Sequence, residues 1–102
     1  MTLVGHDVLN LAGKRNAPLR RWLLGWAAAA EAAEWRSLSD VRKSYPSADG
    51  VKIGSGTVVT VFNVKGNDYR LLTWIDYDEQ VVEALEVLTH GEYDKEQWKE
   101  RY

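Results

Sequence analysis

Hydrophobic and polar positions follow two different periods along this chain, and the change falls near Pro46. Before it, apolar residues recur every three or four positions. Leu19, Trp22, Leu23, Trp26, Ala30 and Ala33 form one stripe, which predicts a long amphipathic helix. Arg20, Arg21, Glu31 and Glu34 fall mostly off that stripe. Asn16 is suited to cap the helix, and Pro18 stands in its first turn, where a missing N–H is tolerated. Val8, Leu9 and Ala12 predict a shorter helix over 6–12. Ser37 followed by Asp40 has the spacing of a capping box and opens a third helix through Leu38, Val41 and Tyr45, which Pro46 closes. The short apolar piece Thr2–Val4 suits an edge strand.

Beyond Pro46 the period falls to two. Gly50, Gly54 and Gly56 punctuate a glycine-rich stretch. The β-branched and aromatic run Val58–Lys65 predicts a strand, and residues 65–68 (K-G-N-D) form a strong turn signal. Tyr69–Asp76 predicts a second strand, residues 77–80 a second turn, and Val81–Thr89 a third strand. Three strands joined by short turns make an antiparallel meander. Glu92–Tyr102 is a polar helix or tail with Tyr93 and Trp98 as its large anchors. Helices first and an antiparallel sheet afterwards is the order of an α+β fold.

Size and composition narrow the function. A chain of 102 residues supports one domain, 1–102, with no room for a cofactor domain beside a substrate domain. There is no cysteine, so thiolate zinc sites, disulfide scaffolds and cysteine nucleophiles are excluded. No apolar run is long enough to span a bilayer and no secretory leader opens the chain, so a cytoplasmic location is expected. The net charge is −2, but unevenly spread. Residues 1–51 carry seven Lys/Arg against five Asp/Glu, and residues 52–102 carry six against ten. The basic residues Lys14, Arg15, Arg20, Arg21, Arg42 and Lys43 lie in the helical half. Five tryptophans and five tyrosines fill a small core or stack on a ligand, and the core is the simpler reading.

Candidate chemistry lies between Phe62 and Asp94. Strand alternation puts Phe62 and Val64 on one face and Asn63 and Lys65 on the other. Tyr69, Leu71, Thr73 and Ile75 likewise oppose Arg70, Leu72 and Trp74. Lys65, Arg70, His90 and Tyr93 then converge near one end of the sheet. Each has a plain alternative. Arg70 could pair with a C-terminal carboxylate, His90 could cap the last helix, Tyr93 could be packing, and Lys65 could be solvated. Together, Arg, His and Tyr fit phosphodiester cleavage. A cation stabilises the charge that develops on the phosphoryl oxygens, and His or Tyr moves the protons. One histidine and scattered carboxylates do not have metal-ligand spacing, so no metal or other cofactor is implied.

Three segments carry a resemblance. Residues 34–49 read E-W-R-S-L-S-D-V-R-K-S-Y-P-S-A-D, residues 61–70 read V-F-N-V-K-G-N-D-Y-R, and residues 89–95 read T-H-G-E-Y-D-K. In this order and separation the chain resembles the HigB family of type II toxins, in the RelE/ParE superfamily, over essentially its whole length. The resemblance implies a RelE/ParE-like microdomain in which N-terminal helices pack on a curved antiparallel sheet, with a short C-terminal helix. It implies an endoribonuclease that cleaves mRNA on the translating ribosome, at the 30S decoding site, and that is held inactive by a helix-turn-helix antitoxin. Arg70, His90 and Tyr93 become the candidate catalytic residues, and Asn63, Lys65, Asn67 and Lys95 the candidate RNA contacts. Five positions before the histidine, where the family pattern often has a basic residue, stands Leu85, with Glu83 and Glu86 around it. A second class stays open: a non-catalytic binding module or gyrase-type inhibitor, as in other branches of the superfamily.

Overall fold

The computed structural model describes residues 1–64 and 66–102. Its elements are β1 (Thr2–Val4), α1 (His6–Gly13), α2 (Ala17–Ala32), α3 (Leu38–Ser44), β2 (Asp49–Lys52), β3 (Val58–Val64), β4 (Tyr69–Asp76), β5 (Val81–Thr89), α4 (His90–Asp94) and a 3-10 turn at Gln97–Glu100. The α+β order is as the periodicity requires. Asn16 caps α2, its side-chain oxygen accepting from the Leu19 N–H at 2.8 Å. Ser37 caps α3 by accepting from the Asp40 N–H. Asp40 does not complete the box back to Ser37: its carboxylate accepts from the Arg36 N–H at 3.0 Å.

The expected meander is present as β3, β4 and β5, each antiparallel to the next, and the sheet extends beyond it at both edges. It has five strands in the order β1-β5-β4-β3-β2, and it is mixed. β2 pairs antiparallel with β3 from inside the glycine-rich stretch, with Gly50 opposite Thr60. A β-carbon at Gly50 would come within 3.3 Å of a Leu38 methyl, so this glycine lets α3 close on the strand. β1 pairs with β5 in parallel, Leu3 opposite Val82. An all-antiparallel sheet is therefore corrected at its edge: chain-distant strands have no turn to dictate their direction.

The turn from β1 into α1 is sterically fixed. Gly5 has φ 96°, and a β-carbon there would stand 2.5 Å from the Ala84 carbonyl oxygen of β5. A second irregularity lies within β5. Leu72 pairs with Glu86 and Thr73 with Ala84, which leaves Leu85 as the extra residue of a bulge. The bulge keeps Ala84 facing the helices and lets Glu86 and Leu88 share the other face with Arg70 and Leu72.

Both faces of the sheet are covered. On one, Leu3, Leu19, Leu23, Trp26, Trp35, Val41, Phe62, Val64, Leu71 and Val82 pack with α1, α2 and α3. Phe62 meets Trp26 and Tyr45 edge-on, with centroids 5.4 and 5.3 Å away. On the other, Val59, Val61, Leu72 and Leu88 pack around Trp98, which is 1% exposed. The aromatic richness is thus mainly core: Trp26, Trp35 and Trp98 are buried and Trp22 half-buried, while Trp74 is exposed.

Gly5→Ala combines a left-handed φ with a backbone clash. It is expected to lower stability by about 2 kcal/mol or more in urea unfolding. A change under about 0.5 kcal/mol would mean that β1 does not hold Gly5 against β5.

Candidate functional site

Arg70 lies on the outer sheet face, between its cross-strand partners Asn63 on β3 and Leu88 on β5. It is only 8% exposed. Its guanidinium grips the turn that precedes it. One terminal nitrogen donates to the carbonyl oxygens of Asn67 (3.3 Å) and Tyr69 (3.1 Å), and the other donates to the Asn67 side-chain oxygen at 2.7 Å. A guanidinium has five N–H donors, and hydrogen bonds to the described residues take up three of them. The same group lies over the Tyr93 ring, 5.5 Å from its centroid.

Tyr93 stacks in turn on Trp98, with centroids 5.4 Å apart and planes 14° from parallel. The Trp98 indole N–H donates to the Tyr93 carbonyl at 3.2 Å. Lys99 lies over the Trp98 ring. The C-terminal segment is held at its far end by Glu86. Its carboxylate accepts from Arg101 at 2.7 Å and from the Tyr102 hydroxyl at 2.8 Å. Burial, with Glu86 adding to it, pushes the Tyr102 hydroxyl up to about 12. Burial is also the main reason that the Tyr93 pKa rises; Asp49 adds to it and Arg70 opposes it. Tyr93 is therefore a protonated phenol at neutral pH.

His90 opens α4. Thr89 caps the helix in a complete capping box with Glu92: the Thr89 hydroxyl accepts from the Glu92 N–H at 3.1 Å, and Glu92 accepts from the Thr89 N–H at 2.9 Å. That amide lowers the Glu92 pKa first of all. The capping function that the sequence allowed to His90 thus belongs to Thr89. The His90 N–H donates to the Asp68 carbonyl at 3.0 Å, which ties the start of α4 to the β3–β4 turn. The imidazole is partly open to solvent, and its Nδ1 lies 2.9 Å from an Asp94 carboxylate oxygen.

The structure therefore brings Arg70, Asn67, Tyr93 and His90 to the end of the sheet where β3 turns into β4 and β5 runs into α4. Asn63 joins them as the half-buried cross-strand neighbour of Arg70. Asn67 acts mainly on Arg70. Lys95 lies elsewhere, exposed beside Glu92, Gln97 and Arg101 around a shallow depression. Lys65 lies outside the described residues. The spacing missed Asp94, although four residues from His90 is one helical turn. It also gave no sign that Trp98 lies under Tyr93. A side chain this large in a polar tail was the available signal.

Arg70 carries structural weight as well as charge. Arg70→Ala is expected to destabilise the protein by about 1–3 kcal/mol in thermal or urea unfolding, because the turn carbonyls lose their charged donor. Arg70→Lys keeps the charge without the fork and is expected to recover only part of that loss. Wild-type stability in Arg70→Ala would show that other contacts hold the turn.

Among the described residues, no helix is long and apolar enough to cross a membrane. No curated protein matches the chain. The HigB toxin family, described as the RelE-like toxic component of a toxin-antitoxin system, matches residues 19–96. The match spans β2 to β5, α4 and most of α2, and it includes every candidate residue from Asn63 to Lys95. The chain therefore belongs to the HigB family of RelE-like toxins, the toxic partners in toxin-antitoxin systems.

Proposed function

We propose that residues 1–102 act as one RelE/ParE-like toxin domain, an endoribonuclease that cleaves mRNA on the translating ribosome. The observation that carries this reading is the gathering of a guanidinium, a phenol and an imidazole at one end of the sheet. Arg70 lies 5.5 Å from the Tyr93 ring centroid, and the His90 amide is bonded to the turn that Arg70 grips. These are the parts of an acid–base transesterification.

In the proposed reaction His90 Nε2 takes the proton of the ribose 2′-hydroxyl. The 2′-oxygen bonds to phosphorus and the bond from phosphorus to the 5′-oxygen breaks. Tyr93, held protonated by its burial, gives its proton to the leaving oxygen. Proton exchange with water then restores both residues. The remaining N–H donors of Arg70 bind the phosphoryl oxygens as their charge grows. The products are a 2′,3′-cyclic phosphate and a 5′-hydroxyl. Asn63, beside Arg70, is the nearest candidate for a further RNA contact. Lys65 and Lys95 are candidates for phosphate contacts farther along the strand.

The charge distribution argues for help in binding. Residues 52–102 carry ten acidic against six basic side chains, and sequence-independent affinity for RNA comes mainly from phosphate neutralisation. The 30S decoding site would present the mRNA, and positioning would supply much of the rate. Lys14, Arg15, Arg20, Arg21, Arg42 and Lys43 are exposed on the helical half and suit contacts to ribosomal RNA. A helix-turn-helix antitoxin that covered this half would block ribosome entry without filling the site.

The test compares cleavage of one mRNA, free and on ribosomes, at two salt concentrations, and identifies the new ends. Efficient cutting only on ribosomes, with 2′,3′-cyclic phosphate ends, is expected. Equal rates on free and ribosome-bound RNA would contradict the ribosome requirement, and 3′-hydroxyl ends would contradict the 2′-hydroxyl mechanism. Intact mRNA in growth-arrested cells would favour the binding-module or gyrase-inhibitor class instead.

A further inference from the structure

The contact between His90 and Asp94 is the wrong way round for a helix-stabilising pair. His90 is the first residue of α4 and Asp94 the last. The helix dipole favours acids at the start and bases at the end, and the better order of an i,i+4 pair places the acid first. Here the base comes first and the acid last, yet Nδ1 and the carboxylate oxygen meet at 2.9 Å. Both side chains are largely open to solvent, 42% and 59% exposed, so burial does not force them together.

The neighbouring acids are engaged elsewhere. Glu92 completes the capping box on Thr89, and Glu96 pairs with Lys99 at 2.9 Å. Among the described residues, Asp94 makes its polar contact with the imidazole alone. The main chain of His90 is fixed independently by its N–H bond to the Asp68 carbonyl. Backbone and Nδ1 are both held, and among the described residues none holds the other ring nitrogen, Nε2.

We infer that Asp94 is a positioning residue: it holds the Nδ1–H tautomer of His90 and thereby presents the Nε2 lone pair to the ribose 2′-hydroxyl. This rests on the ribonuclease reading above and adds the group that prepares its base. The Nδ1 proton stays on the imidazole, hydrogen-bonded to Asp94, while Nε2 takes the 2′-hydroxyl proton. Asp94 itself neither gains nor loses one. The arrangement is that of other histidine bases oriented by a carboxylate, with the carboxylate supplied from one turn along the same helix.

The test uses the 102-residue protein and Asp94→Asn, which keeps size and shape at an exposed position. Two readouts are taken: single-turnover cleavage on mRNA-loaded ribosomes, and the His90 tautomer from long-range proton–nitrogen NMR. The wild type is expected to show an Nδ1–H imidazole. Asp94→Asn is expected to shift it toward the tautomer mixture of an unpaired ring and to lower kcat about tenfold to a hundredfold, with KM little changed. In a His90→Ala background the same change should have no further effect, since the two residues act as one unit. An unchanged tautomer, an unchanged kcat, or equal losses in both backgrounds would overturn the positioning role and leave the ribonuclease reading standing. A wild-type protein that cuts no RNA on ribosomes would overturn both.

Discussion

A five-stranded sheet with apolar residues on both faces must be covered twice, and α1, α2 and α3 cover only one side. The other is closed by about a dozen C-terminal residues, and the closure turns on Trp98. Its indole covers Val59, Val61, Leu72 and Leu88, and among the described residues no other side chain on that face is as large and as fully buried. Full burial of so large a group contributes a few kcal/mol, enough to order a short polar segment that would otherwise fray. The site is a consequence of this closure. Tyr93 lies on Trp98, Arg70 lies on Tyr93, and His90 begins the same segment. The bulge at Leu85 serves the same end, because it turns Glu86 toward Arg101 and Tyr102 and fastens the last residues.

Polar contacts reinforce the arrangement from the sheet side. Arg70 connects the strand to its own turn through Asn67, and the turn connects to α4 through the bond from His90 to Asp68. The candidate acid–base groups therefore lie on a lattice of short-range contacts between β4, its turn and α4. The groups that hold them, Trp98 and the Thr89–Glu92 box, lie next to the candidate positions.

Much of this was legible in the residues, and what was not has physical causes. The α2 stripe, the Asn16 and Ser37 caps and the two turns around β4 depend on contacts within a few residues, which local spacing reports directly. The parallel pairing of β1 with β5 depends on residues some eighty positions apart, and no short-range pattern encodes it. β2 was hidden because Gly50 interrupts it and its ends are charged, as suits an edge strand. The alternation along β4 placed Arg70 on the outer face, yet it could not show that two hydrogen bonds to Asn67 and one to Tyr69 absorb much of its guanidinium. Asp94 was one acid among many until its distance to His90 singled it out.

Trp98 holds the C-terminal segment, and with it the candidate site, on the sheet. Hydrogen exchange followed by mass spectrometry on Trp98→Ala tests it most directly. Truncating a buried tryptophan costs about 3–5 kcal/mol, more than local contacts in a tail this short can replace. Residues 90–102 and the end of β5 are expected to lose protection while α1, α2 and α3 keep theirs. Wild-type protection across 90–102 in Trp98→Ala would contradict it.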